Sequence, residues 1–189
     1  MNLPNKLTVA RVVAVPFYVA FMLISAVPYN YLWALILFGA ASITDMIDGK
    51  IARKNGLVTD LGKFLDPLAD KVLVSAALIC MVELGWTASY LVIIIISREF
   101  IVSALRLAAA SSNDRTVIAA GIWGKLKTAF TMGAICIMTA LHILMDNFGL
   151  PIDAFPVQIV SDVLMCVSTV LTVISGIVYI VSYRHLLKG

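Results

Sequence analysis

Charge is scarce in this sequence. Asp, Glu, Lys and Arg make up 13% of the 189 residues, against about a quarter in an ordinary soluble domain. The 14 Lys and Arg outnumber the 11 Asp and Glu by a formal charge of only +3, too little for a reader of nucleic acid. Cysteine is nearly missing. Cys80, Cys136 and Cys166 stand singly in apolar runs, without metal-ligand or redox spacing, and read as small lining residues. Histidine is limited to His142 and His185, far apart and without ligand-like neighbours, which argues against an imidazole metal centre. What is abundant is apolar: 61% of residues are hydrophobic and the mean hydropathy is +1.00. The apolar runs are continuous rather than alternating, which excludes a β-barrel. No separate soluble domain fits.

At about 20 residues per crossing, the length accommodates six transmembrane helices. The pattern places them at roughly 8–26, 31–49, 67–85, 89–110, 126–146 and 157–183. Breakers separate them: Pro28 and Asn30, Asn55 and Gly56, Gly85, Ser111 to Asp114, and Gly149 with Pro151. Pro67 falls at an expected helix start, where proline is tolerated. The expected fold is all-α: a polytopic membrane protein of six transmembrane helices, one integral-membrane domain over 1–189. Lys6 and Arg11 precede the first run as in a secretory leader, yet Leu3-Pro4-Asn5 and Thr8 are unusual for one, so that run is expected to be a retained span.

Orientation follows from the basic residues. The connections near 26–30, 85–88 and 146–156 contain neither Lys nor Arg. Lys6, Lys50, Arg53, Lys54, Lys63, Arg115, Lys125, Lys127, Arg184 and Lys188 all belong to the other side. Both termini are therefore expected in the cytoplasm.

Carboxylates in such a chain need a reason, since an Asp in a membrane helix costs about 2.5–3.5 kcal/mol on insertion scales. Asp45 and Asp48 close the second expected span, and Asp66 and Asp70 open the third. Spacings of three and four put each pair on one helix face. A short connection makes the helices neighbours, so four carboxylates can converge near the cytoplasmic surface. Such a cluster stays ionised only with cations present. An oxygen-only donor set suits hard ions, so two divalent cations, Mg²⁺ or Mn²⁺, are expected, with open positions for a diphosphate. Gly49 and Ala52 follow Asp45 on the same face and let a bulky ligand approach the backbone. Gly62 offers another close approach, and Arg53 can hold a phosphate bidentately. An ion-pair cluster holding helices together would need fewer acids.

The run Asp45-x-x-Asp48-Gly49-x-x-Ala52-Arg53, eight residues, Gly62-x-x-x-Asp66-x-x-x-Asp70 resembles the signature of the CDP-alcohol phosphatidyltransferase family at every defined position. The resemblance implies that Asp45, Asp48 and Asp66 are metal ligands. It further implies that Asp70, also at the metal site, is the general base toward the attacking hydroxyl. Gly49, Ala52, Arg53 and Gly62 would contact or make room for the CDP moiety. A homodimer with a cytoplasmic active site is implied as well.

The alcohol must be read elsewhere. Arg98 and Arg106 lie eight apart on roughly one face of the fourth span, and Lys125 and Lys127 follow in Gly124-Lys125-Leu126-Lys127-Thr128. Cations beside an acidic metal site suit an acceptor that carries its own phosphate; the two lysines could equally anchor a span at an anionic leaflet. Glu99, next to Arg98, could pair with one of these cations. Both segments, and the opening Asn2-Leu3-Pro4-Asn5-x-Leu7-Thr8-x-x-Arg11, are similar to the bacterial branch of the family that makes phosphatidylglycerophosphate. That likeness places Asn5, Thr8 and Arg11 by the nucleotide and metal. Thr131 departs from it, since many members carry Gln there. The expectation is transfer of a phosphatidyl group from CDP-diacylglycerol to sn-glycerol 3-phosphate, in a bacterial inner membrane. Arg98, Arg106, Lys125 and Lys127 would hold the acceptor. The rivals are the same chemistry on phosphatidylglycerol, inositol phosphate or serine, a cation transporter built on the acidic cluster, and a purely structural membrane protein.

Overall fold

The computed structural model describes the backbone of residues 3–55, 60–111, 121–149 and 154–182, and side chains over 8–44, 69, 71–106, 121–149 and 156–182. Six α-helices follow one another: α1 (Leu3–Leu23), α2 (Asn30–Asn55), α3 (Asp60–Glu83), α4 (Ser89–Ser111), α5 (Ile122–His142) and α6 (Ala154–Ser182). A π-helical turn, Ile143–Asn147, continues α5. There is no strand among the described residues. The molecule is all helical, and each expected span has a helix on it.

Long apolar runs without interior glycine clusters favour helix because every backbone group is satisfied within the segment. The turns form where the backbone can reverse. Gly85 and Gly149 take positive φ of 74° and 61°, the left-handed conformation that ends a helix at little cost to glycine. Two stretches among the described residues, Ile122–Asn147 and Pro156–Ser182, are long and apolar enough to cross a bilayer. Large apolar side chains also face outward, as at Phe17 (58% exposed), Ile79 (57%) and Val163 (57%). Such a surface suits hydrocarbon better than water.

Three helix ends differ most from expectation. α1 begins at Leu3 rather than near 8, α2 continues to Asn55 rather than stopping near 49, and α3 begins at Asp60 rather than near 67. Hydropathy marks where apolar residues end, whereas the helix persists through Lys50, Ile51, Ala52, Arg53 and Lys54, which are mostly good helix formers. Basic residues in the last turns also suit the negative end of the helix dipole. Pro67 therefore lies inside α3 and not in its first turn. The acids sit one to three turns inside their helices instead of at the tips.

The chain divides into two compact units: Met1–Leu84 with Cys136–Asp153, and Gly85–Ile135 with Ala154–Gly189. In the first unit α1 packs along both α2 and α3. Its buried stripe is Thr8, Arg11, Tyr18 and Met22, a helical repeat whose N-terminal end is polar. Tyr18 meets Phe38 of α2 with ring centroids 5.9 Å apart. Ala34, Ala69 and Ala77 are fully buried, and such small residues let helices approach closely. At the end of the unit that holds the α1–α2 turn, Asn147 Nδ2 donates to Asn30 Oδ1 at 3.2 Å, and the Tyr29 and Phe148 rings meet at a tilt with centroids 5.9 Å apart.

In the second unit α4 packs on α6. Leu91, Val92, Ile95 and Val102 of α4 are buried with Met165 of α6. α6 also buries Ser161, Ser168, Thr172, Ser175 and Tyr179, which recur at intervals of three, four and seven and so lie along one side of the helix.

Candidate active site

The acids belong to the first unit. The side chains of Asn5, Asp45, Asp48, Gly49, Ala52, Arg53, Gly62, Asp66 and Asp70 lie outside the described side chains, so their placement here is one of backbone and register. Asp45, Asp48, Gly49, Ala52 and Arg53 are all on α2, and Gly62, Asp66 and Asp70 are all on α3. Because both stretches are continuous helix, the i, i+3 pair and the i, i+4 pair each occupy one face. Counted from the connection between the helices, Asp45 and Asp70 are equally distant, and Asp48 and Asp66 differ by one residue. At 1.5 Å per residue, Asp45 and Asp70 each lie about 15 Å from the helix end that faces that connection. Thr8 precedes the end of α1 by as many residues as Asp45 follows the start of α2. Thr8 and Arg11 are both buried, at 1% and 3% exposure. By the same count Arg11 lies about one turn from the level of Asp45, toward the α1–α2 connection.

The cations belong to the second unit, where side chains are described. Arg98 of α4 donates from Nη1 to Glu99 Oε1 at 3.0 Å and from Nη2 to Ser175 Oγ of α6 at 2.6 Å. Lys127 of α5 donates from Nζ to the same Glu99 oxygen. Glu99 thus pairs with two of the cations rather than one. Arg106 donates from Nη2 to the Tyr179 hydroxyl, and its Cζ lies 4.8 Å from the centre of that ring. The Arg98 and Lys127 side chains are only 11% and 9% exposed. Among the described residues, three cations thus stand near one carboxylate, and two of them, Arg98 and Lys127, are largely shielded from water.

Lys125 is placed differently. It is exposed on α5, two residues from Lys127 and so on another side of that helix. Thr131 is buried: its hydroxyl donates to the Lys127 carbonyl at 2.9 Å and pairs with Ser168 Oγ at 2.5 Å. Where many relatives of the resembled branch carry Gln, this chain has a residue that fastens α5 to α6 just beyond Lys127. Sequence reasoning missed Ser175, Tyr179 and Ser168. The signal was available, because hydroxyl residues recurring on one side of an otherwise apolar helix need partners.

Residues 1–181 match the family model described as CDP-alcohol phosphatidyltransferase. The chain belongs to the CDP-alcohol phosphatidyltransferase family. The coverage takes in both acid-bearing helices and the α4–α6 cluster. One relative of this family, the CDP-diacylglycerol–glycerol-3-phosphate 3-phosphatidyltransferase of Bacillus subtilis (strain 168), is 42% identical, across 93% of this chain and 91% of its own length. The Haemophilus influenzae protein of the same name is 38% identical, across 95% of this chain and 91% of its own. A probable phosphatidylglycerophosphate synthase of Mycobacterium tuberculosis is 36% identical, with 95% and 80% coverage. Together with the apolar helices, membership in this family makes the chain a membrane protein.

Proposed function

We propose that the chain transfers the phosphatidyl group of CDP-diacylglycerol to sn-glycerol 3-phosphate, giving phosphatidylglycerophosphate and CMP. The observation that carries the acceptor is the Arg98–Glu99–Arg106–Lys127 cluster. Among the described residues its cations outnumber its carboxylates, which suits a phosphate monoester carrying about −1.5 to −2 at neutral pH. Serine brings no phosphate to them. The names of the relatives point to the same acceptor.

The oxygen-only donor set of Asp45, Asp48, Asp66 and Asp70 fits two divalent cations, Mg²⁺ or Mn²⁺. When bound, such ions supply charge stabilisation for the diphosphate and the CMP leaving group. Asn5, Thr8, Arg11, Gly49, Ala52, Arg53 and Gly62 hold CDP-diacylglycerol. Arg98, Arg106 and Lys127 hold the acceptor phosphate, with Lys125 at its approach. Asp70 accepts the proton of the glycerol hydroxyl while that oxygen bonds to the β-phosphorus. The bond from this phosphorus to the bridging oxygen breaks, and CMP leaves. Fixing both substrates turns a two-body encounter into a local displacement.

The setting we propose is one catalytic domain over 1–189 with six spans, working as a homodimer in a bacterial inner membrane. Both termini and the active site face the cytoplasm, as the distribution of Lys and Arg supports. The test is an acceptor panel. Purified protein with CDP-diacylglycerol and Mg²⁺ or Mn²⁺ receives labelled glycerol 3-phosphate, inositol phosphate, serine or phosphatidylglycerol. Labelled lipid should form from glycerol 3-phosphate. Preferential labelling from another alcohol would replace this acceptor.

A further inference from the structure

Arginine side chains are long and in lipid surroundings tend to stretch toward the interface. Arg98 and Arg106 do not have that freedom, and the residues that remove it are on α6. The Tyr179 ring lies beside both guanidinium groups, with its centre 5.6 Å from Arg98 Cζ and 4.8 Å from Arg106 Cζ. Its hydroxyl accepts a hydrogen bond from Arg106 Nη2. Four residues earlier, Ser175 Oγ accepts from Arg98 Nη2 at 2.6 Å. Between them, a Cβ on Gly176 would stand 3.1 Å from Arg98 Cγ, so the missing side chain is what lets the arginine stem lie on α6. Tyr179 is itself 4% exposed, and its ring cannot follow a wandering guanidinium.

Two like charges on one ring repel each other unless an anion completes the set. The carboxylate at hand, Glu99, is bonded to Arg98 and Lys127. Guanidinium donors not engaged by Glu99, Ser175 or Tyr179 remain for an oxyanion, and Nε of both arginines is buried without a hydrogen-bond partner among the described residues. From this geometry we infer that Tyr179 is a positioning residue for the acceptor: with Ser175 and Gly176 it sets the spacing and direction of Arg98 and Arg106 for one phosphate monoester. The inference rests on the acceptor reading above and adds the α6 residues that make the pocket selective.

Steady-state kinetics on the full-length protein test it, with each substrate varied in turn. Tyr179→Phe keeps the ring and loses the hydroxyl, and should raise KM for glycerol 3-phosphate severalfold. Tyr179→Leu loses both and should raise it about tenfold or more. Gly176→Ala, which displaces the Arg98 stem, should act in the same direction. KM for CDP-diacylglycerol should stay at the wild-type value in all three, and melting in detergent identifies any variant that fails to fold. An unchanged acceptor KM in the folded variants overturns the positioning role, as does an equal rise in both KM values. Wild-type protein that does not use glycerol 3-phosphate would instead overturn the acceptor reading itself.

Discussion

Asp70 and Arg106 carry different parts of the proposed reaction, so their loss should leave different kinetic traces. Asp70→Asn removes a proton acceptor but keeps the shape, and should lower turnover at least about a hundredfold while CDP-diacylglycerol still binds. Retained turnover would remove Asp70 from the base role. Arg106→Ala should raise KM for glycerol 3-phosphate far more than KM for CDP-diacylglycerol; equal shifts would place Arg106 outside the acceptor pocket. Glu99 has a third role. It is the shared counter-charge of Arg98 and Lys127, so Glu99→Ala takes a carboxylate away from two largely buried cations and should cost about 3 kcal/mol, read as a lower melting temperature in detergent. The acids were legible because their spacing follows the helical repeat and because carboxylates are expensive in apolar runs. Tyr179 was not, since a lone tyrosine near a span end looks like an ordinary interface residue.

Among the elements, α5 and α6 are joined by a single described hydroxyl pair. Thr131→Val keeps the volume, loses the bond to Ser168 and leaves that buried hydroxyl unpaired. A cost of about 1–2 kcal/mol follows, measurable as a drop of several degrees in melting temperature, with acceptor KM shifting little. No drop would mean that the helices are held elsewhere. The number and order of helices could be read from hydropathy, because each apolar run had to satisfy its own backbone. The ends of α2 and α3 could not, because Lys50 to Lys54 are too polar for a span yet favour helix. That misreading placed Pro67 at a helix start, and it understated how far inside α2 and α3 the acids lie.

For the whole molecule, the proposed orientation rests on basic residues confined to alternate connections. In a variant whose three native cysteines are replaced, Ala88→Cys should react with an impermeant thiol reagent from the outer side, and Asn113→Cys only after the membrane is opened. The reverse pattern would place the acids on the wrong face of the membrane. The family was legible from eight fixed positions in α2 and α3, whereas the two-unit division was not, because contacts between distant segments leave no local pattern. The most direct test of the account is CMP release by the purified protein from CDP-diacylglycerol, with and without glycerol 3-phosphate and with the divalent ion chelated. One CMP should appear per phosphatidylglycerophosphate, with none without the acceptor and none after chelation. CMP released without acceptor, or turnover indifferent to the chelator, would contradict it.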